Sequence, residues 1–307
     1  MRLSAFDALG RGIAHLRAHW ALVPWLMTAS FLLTQLVAAS VVLPVRALGL
    51  DFDVKAHLLE TPEAALAWLG DLSSRFAVTP VLLGALAGSL GLLTLAGFVY
   101  CFAQAGLYGV LAADGETGRE TVRSAVAQAS DFAGAGGAYF WRYFWLLNLY
   151  SLYAGLVVIA VFAGVGLAAW VAARQGALPA LGMGCGVLIP VVLGGLACWA
   201  WYAVARAELS RPRSSVRGAA RRGVEILRRR LGAVLLLLVL FGVASMTIQL
   251  AFAPFSALSA WFLGDRPFLA RATEIFLDVA ASLPAAIADV VLAGSLIALN
   301  RAEGAPA

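Results

Sequence analysis

Five stretches of this chain contain no charged side chain, and each is longer than one membrane crossing requires. They are Trp20–Val45, Phe76–Ala113, Tyr143–Ala173, Gln175–Ala205 and Leu231–Gly264. A helix needs about 20 apolar residues to cross the hydrocarbon core of a bilayer. A sixth stretch, Ala272–Asn300, is as long but carries three acidic residues. The sequence therefore predicts an all-α, polytopic membrane protein with six transmembrane helices.

The predicted spans leave little polar sequence between them. They cover residues 20–45, 78–112, 140–173, 179–206, 231–263 and 272–300. Charged residues make up 13% of the chain, whereas about 25% is typical of a soluble domain. No polar stretch is long enough to form a separate soluble domain. We therefore predict a single integral membrane domain over residues 1–307.

The positive charges are distributed unevenly among the connections. If the first span starts in the cytoplasm, 16 of the 22 Lys and Arg residues fall on the cytoplasmic side, nine of them in Arg206–Arg230. Cytoplasmic loops of membrane proteins carry this excess. Both termini are thus predicted to be cytoplasmic, and Asp51–Arg75 to lie outside. The preference for Arg over Lys suggests a GC-rich bacterial genome, so the predicted location is the bacterial cytoplasmic (inner) membrane.

Two connections on the predicted cytoplasmic side read as amphipathic interfacial helices. In Ser4–His19 the apolar residues recur at spacings of three and four, with arginines and histidines around the rest. This stripe consists of Phe6, Leu9, Ile13, Leu16 and Trp20. A second stripe precedes the fifth span and consists of Val216, Ala220, Val224, Leu227 and Leu231. Helices of this pattern lie in the interface plane of a membrane.

The second amphipathic helix also carries a dense group of arginines. They are Arg217, Arg221, Arg222, Arg228, Arg229 and Arg230. Each Arg close to an anionic membrane surface contributes about 1 kcal/mol of binding free energy. The position beside a span favours anionic lipid headgroups over nucleic acid as the partner. We therefore predict that this helix binds anionic headgroups at the cytoplasmic face, with no nucleic-acid partner.

The two basic helices resemble each other. Residues 11–17 and 222–228 both read Arg, Gly, an aliphatic residue, then Leu and Arg, and a span follows each. A third segment, Thr121–Ala138, has the same position but little of the sequence. One interpretation is a threefold repeat of a cytoplasmic helix plus a transmembrane hairpin. The other is chance similarity in a chain rich in arginine and alanine.

This layout resembles the six-span membrane domain that precedes bacterial glycerophosphodiester phosphodiesterase catalytic domains, and related stand-alone six-span families of unknown function. The likeness covers the whole chain and rests on the span order and the Arg-Gly-aliphatic element. It implies a membrane module. The phosphodiesterase catalytic domain has no counterpart here, so no catalytic residue is carried over.

Catalytic and metal-binding signatures are absent from the sequence. It contains no His-Glu-x-x-His, no Gly-x-Ser-x-Gly and no phosphate-binding loop motif. His15 and His19 have the spacing of two metal ligands on one helix face, but His57 is predicted on the opposite side of the membrane. Without a third nearby ligand, the pair is interpreted as an interfacial feature. We predict no enzyme activity, no metal and no cofactor.

Polar residues near the middle of the spans are the remaining candidates for function. Gln35, Asn148, Gln249 and Asp289 all fall within about 5 Å of the predicted midplane at a rise of 1.5 Å per residue. On the sixth span, Glu274, Asp278 and Asp289 lie within about 60° of one another at 100° per residue. Such an acidic stripe can line a proton or cation path. Hydrogen bonding between helices explains the same residues without transport.

Two functions therefore stay open at the level of sequence. The first is a non-catalytic inner-membrane module that binds lipid or a membrane or cytoplasmic protein partner, such as a subunit of a transport or envelope-maintenance system. The second is a small-solute or proton-coupled transporter that uses the acidic sixth span. The two differ in whether the midplane polar groups face one water-filled cavity or separate helix contacts.

Overall fold

The computed structural model describes residues 3–47, 80–117, 124–175, 177–211, 213–263 and 267–304. These ranges are almost entirely helical and contain no strand, which confirms the all-α prediction. The helices are α1 (Ala5–Ala18), α2 (Val23–Ala47), α3 (Pro80–Thr117), α4 (Ala125–Gln175), α5 (Ala177–Leu209), α6 (Val216–Leu263) and α7 (Pro267–Gly304), with a short 3-10 turn at Trp20–Leu22. The predicted outer loop Asp51–Arg75 lies outside the described residues.

Six segments are long and apolar enough to cross a membrane, as the sequence predicted. They are Trp20–Pro44, Pro80–Ala113, Ala125–Val161, Cys185–Leu209, Val216–Phe255 and Ala272–Ala302. The third and fifth begin about 15 residues before the predicted starts at 140 and 231. In α4 the amphipathic segment continues into the span without interruption. In α6 the helix is kinked at Arg230, directly before the predicted start at 231.

Large apolar side chains on the spans are exposed. Leu90 on α3, Ile159 on α4 and Leu250 on α6 have exposed fractions of 67, 66 and 71%. A soluble monomer rarely shows so much contiguous apolar surface. In a bilayer the same side chains contact lipid tails, so the exposed surface is the one that a membrane protein requires.

The chain divides into two compact units. Unit 1 comprises Met1–Met27 and Cys101–Ala307, and unit 2 comprises Thr28–Tyr100. The prediction of one domain over the whole chain stays a prediction.

Unit 2 holds most of α2 and the first part of α3. The two helices approach at Gly88, where an added Cβ would lie 3.5 Å from Leu43 Cδ1. The hydroxyls of Thr34, Ser89 and Thr94 each donate to a carbonyl oxygen four residues earlier in the same helix. These bonds satisfy polar groups that would be costly to leave unpaired in lipid.

Unit 1 has its core at one end of its helices. In this unit α1 packs along α7, α4 packs along α5, and α6 contacts both α5 and α7. Fully buried side chains concentrate in the C-terminal parts of α3, α5 and α7 and in the N-terminal halves of α4 and α6. Examples are Leu107, Tyr143, Leu209, Leu237 and Leu296. We call this region the packed end; it is the end that the charge distribution predicts to be cytoplasmic.

Three helix starts at the packed end have the same geometry. Ser4, Ser124 and Ser215 each accept a hydrogen bond at the side-chain oxygen from the backbone N–H three residues later, at 3.1, 3.3 and 3.1 Å. The carbonyl oxygen of each also accepts from the N–H four residues later. Serine is a preferred N-cap because it satisfies a helix N–H that has no partner within the helix. Ser4, Ser124 and Ser215 therefore occupy equivalent N-cap positions in the three segments.

Eight residues after each cap, the three segments make a corresponding contact. A Cβ on Gly12 of α1 would overlap Ser295 Oγ and Val291 O of α7, and one on Gly223 of α6 would lie 3.3 Å from Ala205 Cβ of α5. In α4 this position holds Phe132, and here the glycine is on the other helix: a Cβ on Gly106 of α3 would lie 2.7 Å from the Phe132 ring. Thus α4 contacts the end of the second span, α6 contacts the end of the fourth, and α1 contacts the end of the sixth. Each segment packs on the span before it, and the first segment packs on the last span. This pattern supports the threefold repeat over chance similarity.

Two of the three segments also break at the same position. Seven residues after the glycine, His19 has φ −122° and ψ 32°, and Arg230 has φ −132° and ψ 30°. These near-identical angles leave the helical region, so each amphipathic segment bends where its span begins. In α4 the helix continues through this position without interruption.

The amphipathic segments have a second apolar face that the sequence did not reveal. In α1 the small residues Ala5, Ala8 and Gly12 are buried against the protein, whereas Phe6 of the predicted stripe is 68% exposed. In α6, Ala219 is likewise buried, whereas Val224 and Leu231 of the predicted stripe are exposed. Small residues allow helices to approach closely. The predicted stripes are therefore left to face lipid.

Candidate functional site: an arginine-lined cavity

A polar cavity of about 300 Å³ opens at the packed end of unit 1. Its walls come from the end of α5, the first turns of α6 and the end of α7. It is lined by Glu208, Arg211, Arg222, Glu225, Ile226, Arg229 and Asn300. A neighbouring cavity of about 390 Å³ shares Arg211, Arg222 and Asn300 and adds Arg301 of α7. Together they form one region, which we call the arginine cavity.

Helical spacing explains why these side chains converge. Arg222 and Arg229 are seven residues apart on α6 and so lie on one face of the helix. Glu208 is in the last turn of α5, and Arg211 follows three residues later in the turn between α5 and α6. Asn300 and Arg301 lie in the last turns of α7. The packing of α6 between α5 and α7 brings the three groups together.

Glu208 is the central fixed point of the cavity. Its side chain is only 1% exposed, and its carboxylate lies 3.0 Å from Arg211 Nη2 and 3.8 Å from Arg222 Nη1. A carboxylate this deeply buried requires positive partners, because burial of an unpaired charge is costly. Glu208 therefore holds two arginines at the cavity wall.

Carbonyl oxygens orient the other guanidinium groups. Arg211 Nη2 also donates to the carbonyl oxygen of Asn300 at 2.7 Å, and Arg301 donates to the carbonyl oxygen of Ala112. The side chain of Asn300 is 1% exposed and donates to Val204 O, whereas its Oδ1 accepts no hydrogen bond from the described residues. The cavity thus combines several fixed cations with a buried acceptor.

A second polar cluster lies deeper in the packed end, around Arg206 of α5. This arginine is 8% exposed, its Nη1 donates to Gln104 Oε1 at 2.9 Å, and its carbonyl oxygen accepts from Tyr143 Oη at 2.9 Å. Its guanidinium carbon lies 4.7 Å from the ring centroid of Tyr202 and 5.6 Å from that of Tyr108. Hydrogen bonds and aromatic faces together compensate for the loss of water around the buried charge.

The midplane residues predicted from sequence have different surroundings. Asp289 is exposed on α7, and the charged group that acts on it is Arg206. Asn148 is exposed and its amide donates to Phe144 O of its own helix. Gln249 is exposed on α6, and Gln35 is half-buried on α2 in unit 2. Their common role as a polar layer stays a prediction.

The residues of the predicted acidic stripe and basic helix are mostly exposed. Glu274 and Asp278 are exposed on α7, as is the third acid of the stripe. Five of the six arginines predicted to contact lipid headgroups are exposed: Arg217, Arg221, Arg222, Arg228 and Arg229. The sixth, Arg230, is half-buried at the kink and donates to the carbonyl oxygen of Leu3 at 2.9 Å. The kink turns it towards the start of α1.

Beside the basic helix, an apolar groove of about 420 Å³ lies between α4, α5 and α6. It is lined by Leu149, Tyr153, Cys198, Trp201, Ala220, Arg221 and Val224. Trp201 Nε1 donates to Ala220 O at 2.9 Å, which fixes the indole in the wall of the groove. The single charged group of this lining is Arg221.

Sequence reasoning missed the residues of the two polar clusters. Gln104, Glu208, Asn300 and Arg301 were not candidates because they stand near the ends of apolar runs, where polar residues are expected at the membrane interface. One signal was available: Arg206 and Glu208 place opposite charges two residues apart at the end of a span.

The two histidines predicted at the interface, His15 and His19, lie next to each other at the end of α1. The rings of His15 and His19 are stacked, with centroids 6.4 Å apart, and His19 is 2% exposed. Among the described residues, no group of three His, Cys, Asp or Glu side chains could hold a metal ion.

Comparison with known proteins adds no relative. No protein-family model, no curated protein and no solved structure matches this chain.

Proposed function

We propose that this protein is a non-catalytic module of the bacterial inner membrane that binds anionic lipid headgroups at its packed end. The observation that carries the proposal is the exposed basic face of α6. Arg217, Arg221 and Arg228 stand on the outer surface of this helix, next to an apolar stripe that includes Leu231 at 47% exposed.

This combination suits the membrane interface. The apolar stripe enters the acyl-chain boundary while the guanidinium groups stay at the level of the headgroup phosphates. Guanidinium groups bind phosphate oxygens through two parallel hydrogen bonds. The arginine excess at this end also favours a cytoplasmic orientation of both termini.

The apolar groove beside Arg221 supports the same function. Its apolar walls are suited to an acyl chain, and the arginine at its edge is suited to the headgroup phosphate of the same lipid. The resemblance of the layout to membrane domains that accompany lipid-related enzymes agrees with such a role and stays part of the proposal.

Lipid binding by the purified full chain tests this function. Native mass spectrometry in a neutral detergent would count bound phosphatidylglycerol and phosphatidylcholine. We expect a preference for phosphatidylglycerol that decreases at high salt, because exposed charges are screened. In the double variant Arg217→Gln/Arg228→Gln the affinity should fall about thirtyfold, since two arginines contribute about 1 kcal/mol each.

The matched control removes two arginines from the predicted outer side. Arg46→Gln/Arg174→Gln changes the net charge by the same amount and should leave the preference unchanged. If both double variants reduce binding equally, net charge explains the effect. If the native chain binds the two lipids equally, the proposed function is wrong.

A second candidate, transport of a proton or a cationic solute, is favoured by the setting of Asp289. This acid is exposed on a helix whose neighbouring residues Ala286 and Val290 are fully buried, and it interacts electrostatically with the buried Arg206. An ionisable carboxylate within a span is a feature of proton and cation paths.

Asp289→Asn tests transport because it keeps size and hydrogen bonding but removes titration. In proteoliposomes with an internal pH dye, we expect the native chain to conduct protons under a membrane potential and the variant to lose this conduction. Asp278→Asn, on the same helix, is the control. Equal proton flux in Asp289→Asn and the native chain would eliminate transport through this residue.

A further inference from the structure

We propose that the arginine cavity is a binding site for a phosphate group, separate from the exposed basic face of α6. The ligand class is a phosphate dianion or the phosphate monoester of a small molecule or lipid headgroup. This goes beyond the proposed function, since that function concerns arginines on the outer surface, whereas the cavity lies between α5, α6 and α7.

The charge of the lining fits a dianion. Arg211, Arg222, Arg229 and Arg301 contribute four positive charges, and Glu208 and Glu225 contribute two negative charges. Glu225 is already paired with Arg221, with 3.4 Å between Nε and Oε1. The net charge of the described lining residues is therefore +2, opposite in sign to a phosphate at neutral pH.

Two of the arginines are held in place before a ligand arrives. Glu208 and the carbonyl oxygen of Asn300 hold Arg211, and the carbonyl oxygen of Ala112 holds Arg301. Arg222 lies 3.8 Å from Glu208 and keeps a side chain that is 59% exposed. Each of these groups has further N–H donors, because a guanidinium carries five. Pre-organised donors bind an anion with less loss of side-chain entropy than flexible surface arginines do.

The acceptor side of the cavity adds a second point of recognition. Asn300 Oδ1 is buried and accepts no hydrogen bond from the described residues. A buried acceptor of this kind is costly unless a donor reaches it. Asn300 lines the cavity, so turning its amide towards the cavity brings Oδ1 within reach of the O–H of hydrogen phosphate or of a headgroup hydroxyl.

The cavity size agrees with this ligand class. Volumes of about 300 and 390 Å³ stand at the lower end of the range for small-molecule sites. The polar residues come from three helices, so the site depends on the tertiary structure.

Isothermal titration calorimetry of the full chain with inorganic phosphate tests the site. The protein is held in nanodiscs of phosphatidylcholine, so that no anionic lipid competes. We expect saturable binding of one phosphate per chain. Arg222→Gln should weaken it about tenfold, the effect of losing one charge-assisted hydrogen bond. Arg217→Gln, on the exposed face of the same helix, should leave the affinity unchanged.

Glu208→Gln separates a binding role from a structural one. It removes the negative charge nearest to Arg211 and Arg222 but keeps a side-chain oxygen that can accept from Arg211, so phosphate should bind more tightly, whereas a defect in folding would weaken binding. Circular dichroism and thermal unfolding establish that each variant is folded. Loss of phosphate affinity in folded Glu208→Gln, or equal affinity in Arg222→Gln and Arg217→Gln, would overturn the proposal.

A second arm identifies the source of the phosphate. Nanodiscs in which phosphatidic acid is the anionic lipid are compared with those of phosphatidylcholine alone. If phosphatidic acid competes with inorganic phosphate in the native chain and this competition is lost in Arg222→Gln, the site takes a lipid headgroup. If phosphate binds without such competition, the ligand is a soluble phosphate compound. If neither inorganic phosphate nor phosphatidic acid binds, the cavity is not a phosphate site.

Discussion

Substituting Gly12 by alanine should loosen α1 from α7, whereas the same change at Gly10 should not. Both glycines lie in the interior of α1. Alanine has the higher helix propensity by about 1 kcal/mol at either position, so this gain cancels when the two variants are compared. The difference between them therefore reports the contact with α7 alone.

The structure sets the size of that difference. A Cβ on Gly10 would have no atom within 4 Å. A Cβ on Gly12 would overlap the backbone carbonyl oxygen of Val291 and the hydroxyl of Ser295, which donates to that carbonyl at 2.6 Å. A backbone oxygen cannot rotate away, so α1 has to shift. Overpacking of this kind costs about 1–3 kcal/mol, and we expect Gly12→Ala to lie at the upper end.

Unfolding of the full chain in detergent micelles, together with hydrogen exchange over α1, measures this effect. Gly12→Ala should unfold with a lower free energy than Gly10→Ala and should exchange faster over Ala5–Ala18. Gly223→Ala should fall between them, because its nearest atom, Ala205 Cβ, is 3.3 Å away and can yield slightly. If Gly12→Ala and Gly10→Ala agree within about 0.5 kcal/mol, the range of neutral surface changes, the close packing of α1 on α7 is refuted.

Three further predictions concern the start of α1, the buried arginine and the topology. Hydrogen bonds from the side chain and backbone of Ser4 hold the pKa of Asp7 below its ordinary value. The ionised carboxylate therefore stabilises the start of α1 at neutral pH, and this stabilisation is lost as the pH falls through the lowered pKa. Amide protection there should decrease in acid, and Asp7→Asn should remove this acid dependence. Arg206→Ala should cost about 1.5–3 kcal/mol, the value of hydrogen bonds to a charged group. Asp289→Asn should be less destabilising in the Arg206→Ala background than in the native chain, because the charge that Asp289 interacts with is already gone. A double-mutant cycle of thermal unfolding would measure this difference. Reporter fusions in the α2–α3 and α5–α6 connections should be active on opposite sides of the membrane, and activity on the same side would contradict the six-span topology.

The packed end concentrates most of what this protein can do chemically. It holds the exposed arginines of α6, the arginine cavity and the cluster around Arg206. The three corresponding helix starts build this end, since each places an amphipathic segment against the span that precedes it in cyclic order. A change at Gly12 or Gly223 should therefore affect ligand binding through the position of the helices, whereas Arg222→Gln should affect it at constant stability.

The fold class and the number of spans could be read from the sequence because they depend on local composition. A charge-free run of more than 20 residues has few alternatives to a membrane helix. The exposed basic face of α6 was also predictable, since helical periodicity alone places Arg217, Arg221 and Arg228 on an outer surface. The corresponding helix starts were present in the sequence as serines, but their equivalence became visible only through their hydrogen bonds.

The buried clusters could not be predicted, because they join residues that are far apart in the chain. Arg206 meets Gln104 across 102 positions, and Arg211 meets the carbonyl oxygen of Asn300 across 89. Periodicity describes which side chains share a face of one helix, but it does not say which helix that face contacts. The sequence by itself determined that six helices are long and apolar enough to cross a membrane and that arginines concentrate in the connections predicted on one side. Only the tertiary structure decided that some of those arginines line a cavity around Glu208, because that depends on how α5, α6 and α7 pack.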